Sequence, residues 1–170
     1  MSANNDPANS VVIERSFAAP IDLIWKMWTD PEHFKAWYGP QGATIPVADF
    51  DVRVGGRRFV GMEMKTPNGA MQMWFIGEHV AVAEPDRLAY TESMSDANGN
   101  VQSPSSMGMP EGHPTTTEVR VDLVDAGNHT TMTLTHVGIP AGSPGAMGWN
   151  MAFDKLETYV GAQAKRSPEG

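Results

Sequence analysis

Trp25, Trp28 and Trp37, three of the chain's five tryptophans, fall in one short stretch interrupted by a single Asp30-Pro31 pair. Pro20 suits the first position of a helix, after which Ile21, Ile24, Trp25 and Trp28 share one face. Asp30 can cap a second helix, Pro31 has no amide to satisfy, and Glu32 meets the positive helix end. Phe34, Trp37 and Tyr38 form the apolar side of that second turn before Gly39-Pro40 stops it. Asp51-Val52-Arg53-Val54-Gly55-Gly56-Arg57-Arg58-Phe59 follows, a strand, a tight glycine turn and another strand. Two short aromatic helices that feed a hairpin leave few architectures open. The apolar, acid-led character of the helix pair does not suit a DNA-reading helix-turn-helix.

Strand-like segments continue to residue 137. Val11-Val12-Ile13-Glu14-Arg15-Ser16-Phe17 opens the chain's folded part, rich in β-branched residues. The spacing predicts strands over 47–54, 57–65, 71–82, 87–94, 117–124 and 130–137, punctuated by Gly55-Gly56, Asn68-Gly69, Pro85-Asp86 and Gly127-Asn128. Connections this short cannot hold the crossover that parallel strands require, so the sheet should be an antiparallel meander. The exception is 95–116, a long loop with three prolines and Met107 and Met109, of a length that usually marks a lid or a mobile segment. A last helix over 144–164 is capped by Ser143 and begins at Pro144, with Trp149, Ala152, Phe153, Leu156 and Val160 in one stripe. The expected organisation is a polar tail over 1–10, one domain over 11–164 and a polar tail over 165–170.

A chain of 170 residues is one domain long, and 41% hydrophobic content suits a globular protein. The net charge of −8, with 12 basic residues and no basic run, argues against binding nucleic acid or an anionic membrane surface. Without cysteine, disulfides, thiolate catalysis and thiolate metal sites are excluded. The polar start has no signal-peptide core and no apolar run is long enough to span a bilayer, which predicts a cytoplasmic protein without membrane insertion.

A curved sheet with one long amphipathic helix must cover its concave side, and the stripe on that helix fits. Six short blocks support the same arrangement: Trp28-Thr29-Asp30-Pro31-Glu32, Trp37-Tyr38-Gly39-Pro40, Val54-Gly55-Gly56-Arg57, Glu84-Pro85-Asp86-Arg87-Leu88, Thr133-Leu134-Thr135-His136 and Gly148-Trp149. In that order they resemble the START-like, polyketide-cyclase-like (SRPBCC) superfamily, and within it the homologues of the activator of the heat-shock chaperone ATPase. The resemblance covers about residues 11–161. It implies an α+β helix-grip fold: a curved antiparallel sheet of six to seven strands around a long C-terminal helix, with two short helices after the first strand. It also implies an elongated apolar cavity between sheet and helix. Members of such a superfamily carry lipids, sense hormones, cyclise polyketides or assist chaperones, so the fold leaves function open.

Strand alternation nominates cavity residues. One stripe is Arg58, Val60, Met62 and Met64. The next strand offers Trp74, Ile76, Val80 and Val82 if no bulge shifts its register. Leu88, Tyr90, Glu92 and Met94 follow, then Val119, Val121 and Leu123, then Met132, Leu134 and His136. The C-terminal helix should add Trp149, Asn150 and Phe153, and the aromatic helices Trp28 and Trp37. Apolar walls with a few polar groups are what a small-molecule pocket needs. Arg58 is either a cavity cation for an anionic ligand or a surface residue. Glu92 either reaches solvent at a strand end or is a buried acid with raised pKa. His136 is either a structural hydrogen-bonding residue or an acid–base group, and the methionines around the pocket are adaptable wall or core filler.

No metal or cofactor is expected. His33, His79, His113, His129 and His136 lack ligand spacing, Glu111, His113 and Glu118 form no motif, and there is no Gly-x-Ser-x-Gly nucleophile elbow. The leading expectation is a carrier or sensor that binds a small hydrophobic or aromatic molecule. The alternatives are a cyclase, lyase or hydrolase with Glu92 or His136 as catalytic group, and a co-chaperone-like interaction module. An exposed sheet edge or the short helices leave a homodimer open.

Overall fold

Turn chemistry decides the layout. Gly55, Gly69 and Gly127 each adopt positive φ at a chain reversal, where a side chain would be strained. Between such reversals the strands run antiparallel throughout. The protein was analysed as a computed structural model that describes residues 10–39, 42–103, 114–139 and 144–166.

The elements are β1 (Ser10–Phe17), α1 (Ile21–Thr29), α2 (Pro31–Phe34), β2 (Thr44–Phe50), β3 (Arg57–Thr66), β4 (Gly69–Ala83), β5 (Arg87–Ser95), β6 (Thr116–Asp125), β7 (Thr130–Val137) and α3 (Pro144–Arg166). The seven strands form one sheet in the order β1-β7-β6-β5-β4-β3-β2. β1 pairs with β7, and α1 and α2 carry the chain from that edge to β2 at the other. This is the α+β helix-grip arrangement that the sequence blocks imply.

Asp30 caps α2 as expected, its side chain accepting from Glu32 N at 3.0 Å. Pro20 is the residue before α1 rather than its first. β2 ends earlier than the sequence suggests. Residues 51–56 instead form a turn in which Gly56 N donates to Arg53 O and Gly55 N to His79 O, both at 2.8 Å. The long loop also begins as ordered structure, since Asp96 Oδ1 accepts from the amides of Asn98 and Asn100. Residues 104–113, with Met107, Met109, Glu111 and His113, lie outside the described residues, as does Ser143.

The helix stripe is buried as its periodicity requires: Trp149, Ala152, Phe153, Leu156 and Val160 all pack into the core. Asn150 faces the other way, where Arg15 of β1 donates to its carbonyl at 3.3 Å and bridges to Asp154 at 2.8 Å. Among the described residues no helix is long and apolar enough to cross a membrane.

Candidate functional site

A cleft of about 130 Å³ lies between the sheet and the N-terminal half of α3. Its walls come from Met62 of β3, Phe75 of β4, Glu92 of β5 and His136 of β7. Gly148, Trp149 and Ala152 of α3 face them, and Tyr38 and Gly39 close the end after α2. Gly39 holds φ at +88°, and a Cβ there would come within 3.3 Å of Met62 Sδ. The turn therefore needs glycine to bring Tyr38 over the cleft.

Phe75 is present because of register. Met62 pairs with Met73 and Val60 with Phe75, so Met73 and Phe75 share the inward face. Trp74 and Ile76, expected inside, point to the outer face. There Trp74 stacks on Phe59, ring centroids 5.5 Å apart, in space left by the missing side chain of Gly61. The expectation failed because both stripes of this strand are apolar, so no polarity contrast fixes which face is buried. Val80 keeps that outward parity and is exposed, and the bulge between His79 and Ala81 turns Val82 back to the core, opposite Leu88.

Trp28, Trp37 and Phe153 are core residues that back the cleft. Trp28 and Trp37 meet edge to face at 4.9 Å, and Trp149 lies 5.5 Å from Phe153. Both buried indoles are satisfied within the protein, Trp37 Nε1 donating to Met27 O at 3.1 Å and Trp28 Nε1 to Met132 Sδ at 3.3 Å. Met64 is half-buried against the core, Met94 is half-buried opposite Phe75, and neither lines the cleft.

The polar end is a buried network across four elements. Glu92, 9% exposed, accepts from Tyr38 Oη at 3.3 Å through Oε2, and Arg58 Nη1 lies 3.8 Å from the same oxygen. Arg58 is buried, not on the surface, and does not line the cleft. Its guanidinium lies over the Tyr90 ring, 3.6 Å from the centroid, with Phe34 and Phe50 at 5.1 and 5.0 Å. That cation–π box supports the charge where water is excluded. Burial raises the Glu92 carboxyl above its ordinary range, more than Arg58 and the Tyr38 hydrogen bond lower it. Burial and the neighbouring Glu92 push the Tyr38 hydroxyl well up, so it remains a neutral donor.

His136 is held from both sides. Trp149 Nε1–H, which can only donate, hydrogen-bonds to Nδ1 at 3.0 Å, and Nε2 meets Thr117 Oγ1 at 2.8 Å. Thr117 Oγ1 donates onward to the Glu92 carbonyl at 3.4 Å. These three bonds agree on a neutral imidazole with its proton on Nε2. Glu92 Oε1 stands 3.9 Å from that nitrogen, beyond hydrogen-bonding distance.

Tyr38, Phe75, Thr117 and Ala152 belong to the site although the sequence pattern does not nominate them for it. Strand parity does point to Thr117, which continues the inward face of Val119, Val121 and Leu123 and is buried. Nothing in Tyr38's surroundings separates a cavity tyrosine from a core one. Among the described residues no cluster of histidine and acidic side chains could hold a metal.

The fold and this site can be set beside known proteins. A family model for activator of Hsp90 ATPase homolog 1-like proteins (AHSA1) matches residues 18–161. The chain belongs to the AHSA1 family. Several solved structures share the fold of this AHSA1 chain at low identity. A Staphylococcus epidermidis protein is 23% identical over 95% of each chain, with a TM-score of 0.72. A Nitrosomonas europaea protein is 20% identical over 97% of this chain and 99% of its own, at 0.71. The AHSA1 protein of Silicibacter pomeroyi is 18% identical over 91% and 99%, at 0.69. No curated protein matches.

Proposed function

We propose that this AHSA1 chain binds one small hydrophobic or aromatic molecule in the cleft between sheet and α3, as a carrier or sensor. The observation that carries this reading is a cleft with mostly apolar walls and one carboxyl at its polar end. Its volume, about 130 Å³, sets the scale of the occupant. An engineered apolar cavity of about 150 Å³ in another protein binds benzene, so the space suits roughly one ring. Met62 and Phe75 would supply adaptable contact on the sheet side, and Trp149 and Ala152 the opposite wall.

Native mass spectrometry of the purified protein, followed by denaturing extraction, tests this directly. A copurifying molecule of about one ring supports the reading. A protein that arrives empty goes on to a thermal-shift and methyl-NMR screen with ring-sized probes, watching Met62 and Ala152. An occupant at about one hundred times its Kd should add about 2.7 kcal/mol of stability. No copurifying molecule together with no response to any probe ends the proposal.

A second reading, acid–base chemistry in the same cleft, is favoured by one observation: a buried carboxyl of raised pKa facing the cavity. It rests on Glu92 rather than His136, whose two ring nitrogens are committed to Trp149 and Thr117. Any turnover found in the screen should be lost in Glu92→Gln and retained in His136→Asn; the reverse pattern removes Glu92 from that role.

A further inference from the structure

We infer that the cleft selects a neutral, ring-sized molecule bearing an O–H or N–H group, which donates to Glu92 Oε1. The inference rests on the binding reading above and specifies the chemistry of the occupant.

Hydrogen-bonding capacity at the polar end is unevenly used. The side-chain donors on the cleft wall are already spent inside the protein: Tyr38 Oη on Glu92 Oε2, Trp149 Nε1 on His136 Nδ1, and His136 Nε2–H on Thr117 Oγ1; Arg58 Nη2 and Tyr90 Oη, without a partner among the described residues, belong to side chains that do not line the cleft. The cleft therefore offers an incoming ligand no uncommitted donor among these groups. Glu92 Oε1 differs, because among the described residues no donor reaches it within hydrogen-bonding distance; the nearest ion-pair partner, His136 Nε2, is 3.9 Å away. A carboxylate oxygen accepts through two lone pairs and binds O–H at about 2.5–2.7 Å when charged. A donor that enters the cleft completes this group. A ligand without one leaves the carboxylate dehydrated and unmatched.

Charge narrows the class further. Arg58 is the one cation paired with Glu92 among the described residues, and it stands behind the carboxylate in its aromatic box, outside the cleft wall. An anionic ligand would meet the Glu92 oxygen before it met the guanidinium. A carboxylate-bearing ring is therefore rejected, which is the opposite of the role that Arg58 suggests in the bare sequence.

The test uses the full chain at mildly alkaline pH and four probes of similar size: phenol, anisole, toluene and benzoate, with affinities from ligand-observed and methyl NMR. Phenol should bind about tenfold or more tightly than anisole and toluene, and benzoate should not bind measurably. Toluene or anisole binding as tightly as phenol overturns the inference while leaving the binding reading intact. Binding of benzoate in preference to phenol also overturns it. If none of the four binds to folded protein, both the inference and a ring-sized binding site fall together. Arg58→Met combined with Glu92→Met removes both buried charges at once, avoiding the stranded partner that a single substitution leaves. That variant should bind toluene and lose the preference for phenol, and a preference retained there overturns the role of Glu92. If the double variant does not fold, the four-probe comparison on the unaltered chain still decides.

Discussion

The Trp149 indole donates to His136 Nδ1 at 3.0 Å and thereby fastens α3 to β7 beside the cleft. From His136 the connection runs through Thr117 to the Glu92 carbonyl, so one helix residue is tied across three neighbouring strands. Trp149→Phe keeps a ring in place but strands a buried acceptor. It should cost about 1–3 kcal/mol in chemical denaturation. Nitrogen NMR of the unaltered protein should show His136 neutral and protonated on Nε2, with that tautomer no longer enforced in the variant. An Nδ1-protonated ring in the unaltered protein would contradict the geometry.

Gly148 lies on α3 at the cleft wall, and a Cβ built there meets nothing within 4 Å. Glycine in a helix interior costs about 1 kcal/mol relative to alanine, and here no close packing offsets that cost. Gly148→Ala should therefore stabilise the protein by about 0.5–1 kcal/mol in a denaturation midpoint. Gly148→Leu should fill the cleft and abolish binding of ring-sized probes while the chain remains folded. A destabilised alanine variant would mean that the wall is closer packed than the structure has it.

How far the residues foretell this site depends on polarity contrast. The helix-grip arrangement is written in features that tolerate little ambiguity: the Asp30-Pro31 restart, the turn glycines, and the single apolar stripe of α3. The inward faces of β6 and β7 are equally legible, because polar and apolar residues largely alternate there, whereas in β5 Ala89 and Glu92 break the alternation. β4 is not legible, because Met73 and Phe75 compete with Trp74 and Ile76, and only pairing to β3 chooses between them. The ambiguity of Arg58 has a different origin. Sequence alone cannot show that Phe34, Phe50 and Tyr90, from three distant segments, converge on one guanidinium. His136 is visible as a position, but its commitment to Trp149 depends on how the helix lies across the sheet.

The Tyr90 hydroxyl is buried and, like Arg58 Nη2, has no hydrogen-bond partner among the described residues. What Tyr90 contributes is its ring face, against which the guanidinium lies. Tyr90→Phe retains that face and removes a dehydrated polar atom. Its unfolding free energy should stay within about 1 kcal/mol of the parent and move toward greater stability. Tyr90→Leu removes the cation–π contact and should cost more than Tyr90→Phe by about 2 kcal/mol. Equal effects of the two substitutions would show that the ring face carries no special share.

Two buried groups give opposite pH dependences, which makes each a control for the other. Glu92 titrates above its ordinary 4.5 in the folded protein, chiefly through burial. Below 4.5 both folded and unfolded chains hold this proton, and its contribution to stability is fully present. As pH rises above 4.5 the unfolded chain releases the proton first, so the native state binds more protons and stability falls until the folded carboxyl ionises. His79, buried beside Tyr90, titrates below its ordinary 6.5, again chiefly through burial. Its contribution is present above 6.5 and is lost as pH falls through that value toward the folded pKa, because the unfolded chain then gains a proton that the native state resists. Urea denaturation across a pH series should show both trends. Glu92→Gln should remove the decline above 4.5, and His79→Gln the loss below 6.5. If the parent instead gains stability relative to Glu92→Gln as pH rises, the carboxyl is stabilised as an anion, and burial does not dominate its environment.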